Sequence, residues 1–125
     1  MNKLIVGKVT YVLLWDMAEV REYISEQGSS PFAKWFNRLN ATAAARITMA
    51  LTRVELGNLS DHKSVGAGVW ELRLDFGPGY RVYFGKDGDR LVILLGGGTK
   101  KRRQKNIETA KLLWKDYKKR KREEK

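Results

Sequence analysis

The stretch Val69-Trp-Glu-Leu-Arg-Leu-Asp-Phe-Gly-Pro-Gly-Tyr-Arg-Val-Tyr-Phe84 decides the fold of this chain. Apolar residues alternate with polar or charged ones on both sides of Gly77-Pro78-Gly79, and a period of two residues is typical of β-strands with one buried face. Asp87-Gly88 predicts a second tight turn, because glycine adopts the positive φ that a hairpin requires. Leu91 to Leu95 then supplies an almost wholly apolar strand. We therefore predict a three-stranded antiparallel meander at the centre of the chain.

Helical periodicity lies on both sides of this meander. Ser30-Pro31 offers a capping hydroxyl and a proline for the first helical turn, and Asn40 is a second cap candidate. Two short helices packed as a hairpin follow, ended by Gly57-Asn58, and a lysine-rich helix begins after Gly96–Gly98. Their apolar faces include Trp35 and Trp114, which we interpret as core residues, as we do Trp70 on the central strand. The predicted fold class is α+β: an antiparallel sheet with an N-terminal helix pair and a C-terminal helix.

The length of 125 residues fits one domain. We assign the domain to residues 19–118, beginning with a further predicted strand from Glu19 to Ile24. Residues 119–125 are expected to form a frayed basic tail. Residues 1–18 form an N-terminal extension of open role, in which Val9 to Trp15 is either a strand or a leader.

Positive charge is concentrated at one end of the chain. Thr99 to Lys125 holds 13 Lys/Arg against 4 Asp/Glu, a net +9 of the total +11. Such a field favours a polyanionic partner, through Coulomb attraction and counterion release from a nucleic-acid backbone. The lack of cysteine excludes disulfides, thiolate zinc sites and thiol nucleophiles. The apolar runs near the start are too short to span a bilayer, so we expect no membrane partner. The lack of cysteine suits a reducing cytosol, and we expect a cytoplasmic location with neither metal nor cofactor.

A cationic constellation is predicted on one side of the meander. Arg73 and Arg81 lie on adjacent strands, opposite their apolar neighbours, with Tyr83 and Glu71 at matching positions on the same side. The run Lys100-Lys101-Arg102-Arg103 leaves the far end of the third strand and can bend over this surface. Guanidinium and ammonium groups so arranged would bind a phosphodiester and stabilise the charge that develops on its oxygens.

Cleavage of RNA by its own 2′-hydroxyl needs a proton acceptor and a proton donor as well as charge stabilisation. The single histidine, His62, excludes a histidine pair within one monomer. Lysines remain as candidate bases, provided that neighbouring cations lower their pKa, and Tyr83 is a candidate proton donor or orienting group. The predicted catalytic residues are Arg73, Arg81, Lys100 and Tyr83. The candidate bases are Lys63, Lys100 and Lys101, and the predicted RNA-binding residues are Lys63, Lys101, Arg102 and Arg103.

Three of these features also have plainer interpretations. The two strand arginines can pair with Glu71 and Asp75 as an ordinary solvated face. His62 lies in a polar loop, where an exposed histidine without a chemical role is the simpler interpretation. Gly96 to Lys100 is only superficially like a phosphate-binding loop, because it lacks the G-x-x-x-x-G-K-[ST] spacing.

The central stretch, from Gly68 to Phe84, resembles the signature of the phage-type, HigB-like branch of the RelE/ParE toxin superfamily. The resemblance covers about residues 19 to 118. Its further matches are Ser30-Pro-Phe-Ala-Lys-Trp35, Leu56-Gly-Asn58, Leu94-Leu-Gly-Gly-Gly-Thr-Lys100, Gln104 and Asn106-Ile-Glu-Thr-Ala110.

This resemblance implies a compact α+β fold and cleavage of messenger RNA, often only while that RNA is on the ribosome. It also implies neutralisation by a cognate antitoxin, usually a HigA-like protein with a helix-turn-helix DNA-binding part. By position, the arginines of the E-L-R and G-Y-R motifs are Arg73 and Arg81, and the basic residue after the third strand is Lys100 or Lys101. A tyrosine of the last helix that contributes in the RelE branch is absent here, where the chain reads Asn106-Ile-Glu108, and this leaves the general base open.

Three functions are compatible with the sequence and with this resemblance. The first is a ribosome-dependent endoribonuclease that uses Arg73, Arg81 and Lys100. The second is a ParE-like toxin that inhibits DNA gyrase and cuts nothing, since the superfamily includes such members. The third is a basic RNA-binding domain without catalysis, which the charge of the C-terminal segment alone would explain.

Overall fold

The computed structural model describes residues 17–59 and 61–124 and, for two earlier strands, the backbone alone. These strands, Lys3–Val6 (β1) and Val9–Val12 (β2), pair antiparallel with each other. β2 agrees with a strand in the segment from Val9, and the remainder of that segment up to Trp15 lies outside the described residues. Among the described residues, none of the helices is both long enough and apolar enough to cross a membrane.

The main sheet has five strands in the order β3-β7-β6-β5-β4. The predicted meander is confirmed as three antiparallel strands, Val69–Leu74 (β5), Tyr80–Asp87 (β6) and Leu91–Thr99 (β7). Glu19–Glu22 (β3) adds a parallel edge strand beside β7, and His62–Gly66 (β4) an antiparallel one beside β5.

β4 corrects one prediction. His62 begins this strand and does not lie in a loop. Its sequence, His-Lys-Ser-Val-Gly, contains a single apolar side chain and so carries no alternating pattern that sequence reasoning could detect. The strand forms because an outer strand needs partners on only one side, here β5, where Lys63 lies opposite Glu71.

β7 continues through Gly96–Gly98 to Thr99, so these glycines do not end the strand as expected. A Cβ atom on Gly97 would overlap the Trp35 ring, and one on Gly98 would overlap the Asn106 amide. Glycine is therefore present because side chains of two helices pack directly on the strand backbone.

The predicted helix pair is confirmed as Pro31–Phe36 (α1) and Ala41–Glu55 (α2). Both predicted caps are in place: the Ser30 hydroxyl accepts from the Ala33 N–H at 3.0 Å, and the Asn40 side-chain oxygen accepts from the Ala43 N–H at 2.9 Å. Each bond satisfies an N–H that the first helical turn otherwise leaves free.

A short 3₁₀ turn at Lys100–Arg102 leads into the last helix, Arg103–Glu123 (α3), which extends past the point at which fraying was expected. Its end is held to the sheet side of the molecule. Arg120 pairs with Asp116 at 2.9 Å and donates to the Ile24 carbonyl at 2.6 Å, and Lys121 pairs with Asp87. These contacts give the final helical turns partners that a free basic tail would lack.

Helices cover both faces of the sheet, giving two apolar cores. On one face α1 and α2 bury Phe32, Ile47 and Val54 against sheet residues Leu72, Val82, Phe84, Val92 and Leu94. On the other face α3 buries Ile107, Ala110 and Trp114 against Val69, Tyr83, Ile93 and Leu95. Burial of each large apolar side chain contributes roughly 1.5–3 kcal/mol. The three tryptophans belong to these cores as predicted: Trp114 is buried, and Trp35 and Trp70 pack partly buried on the first core.

Candidate functional site

A buried carboxylate organises the face of the sheet where the cationic constellation was predicted. Glu71 has no solvent exposure. Arg103 donates to it from both Nε, at 2.9 Å, and Nη2, at 3.2 Å, and the Tyr83 hydroxyl donates at 3.1 Å. Arg81 brings its Nε to within 3.7 Å. A buried charge persists only when it is paired, and here two guanidinium groups surround one carboxylate, leaving a net positive charge.

Strand register brings the predicted pairs together. Arg73 lies directly opposite Arg81, and Glu71 lies directly opposite Tyr83, on adjacent antiparallel strands. The prediction that these four residues share one side of the sheet is confirmed, because side chains alternate with a period of two and the Gly77-Pro78-Gly79 turn fixes the register.

Arg81 is held by the loop that precedes it. Its side chain is 11% exposed, and its Nη1 donates to the Gly79 carbonyl at 2.7 Å. Its buried Nε has no hydrogen-bond partner within the described part of the chain. A guanidinium held in this way can bind an anion at low cost in side-chain entropy.

Arg73 is more open. Its side chain is 39% exposed, and its Nη2 donates to Asp61 at 3.1 Å. Its Nε is also buried without a partner among the residues described. The sequence also allowed the two strand arginines to pair with Glu71 and Asp75. Arg81 does lie near Glu71, but the carboxylate that pairs with Arg73 is Asp61, in the turn before β4.

Tyr83 is placed to act through Glu71. It is only 1% exposed, and its hydroxyl proton points to the carboxylate. Burial first, and then the negative charge of Glu71, raise the pKa of Tyr83 well above its ordinary value of about 10. The hydroxyl therefore stays protonated at neutral pH and serves as a positioning group for Glu71.

The remaining predicted cations form a rim. Lys100, Lys101 and Arg102 are exposed on the 3₁₀ turn, and the Lys100 N–H donates to the Gly79 carbonyl at 2.9 Å, beside the bond that holds Arg81. Lys63 is exposed on β4, opposite Glu71. No carboxylate among the described residues lies within 4.0 Å of any of these four cations.

Sequence reasoning missed the central role of Glu71 and its bond to Arg103. Arg103 was predicted to touch RNA, but two of its donors hold the start of α3 to the sheet. One signal was present: Glu71 lies on the same strand face as Tyr83 and the two strand arginines. His62 packs against Trp70, with ring centroids 5.3 Å apart, outside this cluster.

The arrangement brings Arg73, Arg81 and Lys100 to the loop that ends at Gly79, whose carbonyl accepts from both Arg81 and Lys100. No group of three or more His, Cys, Asp or Glu side chains suited to a metal ion occurs in the described parts of the chain. Guanidinium groups held in this way favour a bound anion by electrostatic attraction, with exposed lysines beside them.

Comparisons with known proteins agree with this description. The profile of the phage-derived Gp49-like proteins (DUF891) matches residues 34–115. An uncharacterized protein of Haemophilus influenzae is 47% identical over 83 residues, which make up 66% of this chain and 84% of that protein. The chain therefore belongs to the Gp49-like family, a toxin-like family of toxin–antitoxin systems within the broader RelE/ParE-type group.

Proposed function

We propose that this protein is the HigB-like toxin of a type II toxin–antitoxin system and arrests translation by cutting messenger RNA on the ribosome in the cytoplasm. The observation that carries the proposal is the pair of facing arginines, Arg73 and Arg81, which lie beside the exposed cationic turn that begins at Lys100. Two facing guanidinium groups beside exposed lysines support a binding site for a phosphodiester.

The reaction we propose needs no metal. The 2′-oxygen of one nucleotide attacks the neighbouring phosphorus, and the bond from phosphorus to the 5′-oxygen of the next nucleotide breaks. A base takes the 2′ proton, and an acid returns a proton to the departing 5′-oxygen. The products are a 2′,3′-cyclic phosphate and a free 5′-hydroxyl.

Each site residue has a role in this proposal. Arg73 and Arg81 bind the phosphate and stabilise the negative charge that grows on its oxygens. Lys100 is the catalytic cation of the rim, with Lys63 and Lys101 as the other candidates for proton transfer. Tyr83 and Glu71 keep Arg81 in position.

The rim cations Lys101 and Arg102 guide RNA into the site, and the exposed part of Arg103 contributes charge. The segment Asn106-Ile-Glu108 stands in the region where the RelE branch carries a tyrosine, and the Asn106 amide packs over Gly98, opposite Arg81 in the sheet. A short polar side chain there leaves proton transfer to the lysines.

The partner in this proposal is an antitoxin of the HigA-like, helix-turn-helix kind. The family is toxin-like, and the exposed cationic rim suits an inhibitor that lays an acidic segment across it. Such a segment would compete directly with RNA.

Induced expression in a bacterial host tests the function. We expect the wild-type chain to stop growth and to create new transcript 5′ ends inside translated frames. Arg73→Ala should lower cleavage about 100-fold, because a fixed donor to the transition-state charge is lost. Arg81→Ala should do the same, but its side chain borders the buried Glu71, so its folding must be checked by circular dichroism.

Arg21→Ala is the matched control. Arg21 is an exposed arginine of β3 that pairs with Glu19, away from the candidate site, and its loss should leave cleavage unchanged. Arrest with intact transcripts and induction of DNA-damage signalling would instead support gyrase inhibition, the alternative that the missing tyrosine favours. Tight, salt-sensitive RNA binding without cleavage would support a non-catalytic RNA-binding domain.

A further inference from the structure

A second cationic cleft, of about 420 Å³, lies between α2 and the end of β5. Three arginines line it, Arg46 and Arg53 from α2 and Arg73 from β5, against a single acid, Asp75. Its apolar lining includes Met49, which is 55% exposed, and Phe76. The cleft thus combines positive charge with an exposed apolar side chain and a partly buried aromatic ring.

The two helix arginines are available to bind a ligand. Arg46 and Arg53 are seven residues apart on α2, so they project from the same side of the helix. Both are exposed, and no carboxylate of the described residues lies within 4.0 Å of either. Arg46 places its guanidinium carbon 4.6 Å from the centre of the Phe76 ring. A guanidinium beside an aromatic ring is a combination on which a nucleobase stacks.

The cleft joins the candidate active site through shared residues. Arg73 lines the cleft and is the strand partner of Arg81. Phe76 is followed directly by the Gly77-Pro78-Gly79 loop, whose Gly79 carbonyl fixes Arg81. Arg73 and Arg81 lie on the α3 face of the sheet, and α2 covers the other face, but β4 pairs with β5 only as far as Leu72, so β5 forms the edge of the sheet beyond it. An RNA strand with its phosphate at Arg73 and Arg81 would pass over this edge to reach the cleft.

We propose that this cleft is a nucleotide subsite for the RNA strand next to the cut. Arg46 and Arg53 bind a backbone phosphate, and Phe76 with Met49 receives the adjoining base. The inference rests on the proposed ribonuclease function and gives it a determinant of sequence preference. RNA fits better than an acidic peptide, because stacking on Phe76 uses the base face, which a carboxylate side chain lacks.

Direct binding tests the subsite separately from cleavage. The probe is a fluorescein-labelled, 2′-O-methylated single-stranded RNA of about eight nucleotides, long enough for one such groove, titrated into the full chain. For the Arg46→Ala/Arg53→Ala variant we expect the Kd to rise about tenfold or more. The slope of log Kd against log salt should fall by about 0.7, because the variant loses one contact with a single-strand phosphate. Phe76→Leu should raise the Kd about fivefold or more with the slope unchanged.

Lys34→Ala/Arg38→Ala provides the control, because it removes two exposed cations that do not line the cleft. An equal loss of affinity in this control would overturn the subsite in favour of general electrostatic attraction. Unchanged RNA affinity in the Arg46/Arg53 variant would also overturn it, and a simultaneous loss of antitoxin binding would then assign the cleft to a protein partner. If the subsite variants weaken binding but the wild-type chain makes no cuts in cells, the ribonuclease proposal fails and the nucleotide site stands.

Discussion

At the scale of single residues, the molecule depends on Glu71, a carboxylate with no solvent contact that serves two arginines and a tyrosine. Glu71→Gln keeps the shape but removes the charge that balances Arg81 and Arg103. We predict a loss of about 3 kcal/mol in the free energy of unfolding, the usual consequence of leaving one partner of a buried ion pair unbalanced. Tyr83→Phe removes one hydrogen bond to a charged group and should cost about 1.5 kcal/mol. Urea denaturation at neutral pH measures both.

Asp61→Asn is the comparison for this prediction. Asp61 also pairs with an arginine of the site, Arg73, but its side chain is half exposed. Exposed pairs contribute little, so its loss should change stability by less than about 1 kcal/mol. The interpretation of Glu71 as the anchor would be wrong if Glu71→Gln cost no more than Asp61→Asn.

Part of the candidate site could be predicted from the sequence, and the reason differs from residue to residue. Arg73 and Arg81 were placed opposite each other because alternation and a short turn leave little freedom in register. The bond between Arg103 and Glu71 joins residues 32 positions apart through the docking of a helix, which no local pattern encodes. Asp61 was missed for the same reason, since it reaches Arg73 only once β4 has paired with β5.

At the scale of elements, the glycines of β7 decide how closely the helices approach the sheet. Gly97→Ala should lower the free energy of unfolding by about 1–3 kcal/mol, because the new methyl group overlaps the Trp35 ring and overpacked cores lose that much. Gly96→Ala is a matched control on the neighbouring position, since nothing lies within 4 Å of a Cβ placed there. Thermal unfolding of both variants checks the prediction, and equal destabilisation by the two would refute it.

β7 also shows where the prediction of helices and strands from the sequence fails. The helix starts of α1 and α2 were found because caps and proline act within one turn, and β5 and β6 because their alternation is regular. The end of β7 was placed too early, because glycine reads as a break until the helix that packs on it is known. The parallel position of β3 beside β7 depends on a long connection that contains α1, α2 and the strands β4 to β6, and nothing in the four residues of β3 specifies it.

At the scale of the whole molecule, α3 has two roles: its start contributes to the candidate site, and its end docks onto the rest of the fold. Its first residue, Arg103, meets Glu71 at the candidate site, whereas its last turns are fastened elsewhere. Tyr23 donates to Asp116 at 2.6 Å, and Tyr117 and Lys121 both donate to Asp87. These hydrogen bonds stabilise the carboxylates in their charged form: the bond from Lys121 lowers the pKa of Asp87, and the bond from Tyr23 lowers the pKa of Asp116.

Truncation after Lys118 removes the docking contacts at the end of α3 but keeps its start, and it tests the proposed domain limit of residues 19–118. It removes the bonds of Arg120 to Asp116 and Ile24 and the bond of Lys121 to Asp87. These contacts are partly exposed and contribute about 1 kcal/mol together, so the Tm should fall by roughly 3–8 °C. The positions of RNA cleavage should stay the same, because every proposed site residue remains.

Truncation after Arg122 keeps the bonds of Arg120 and Lys121 and should leave the Tm unchanged, which controls for the loss of chain length. Thermal unfolding and mapped transcript 5′ ends give the two readouts. If the shorter truncated chain stayed folded but cut at different positions, the end of α3 would have to contact RNA. The net positive charge of the C-terminal segment would then serve substrate binding along the whole helix, and the site would no longer be confined to the turn where α3 begins.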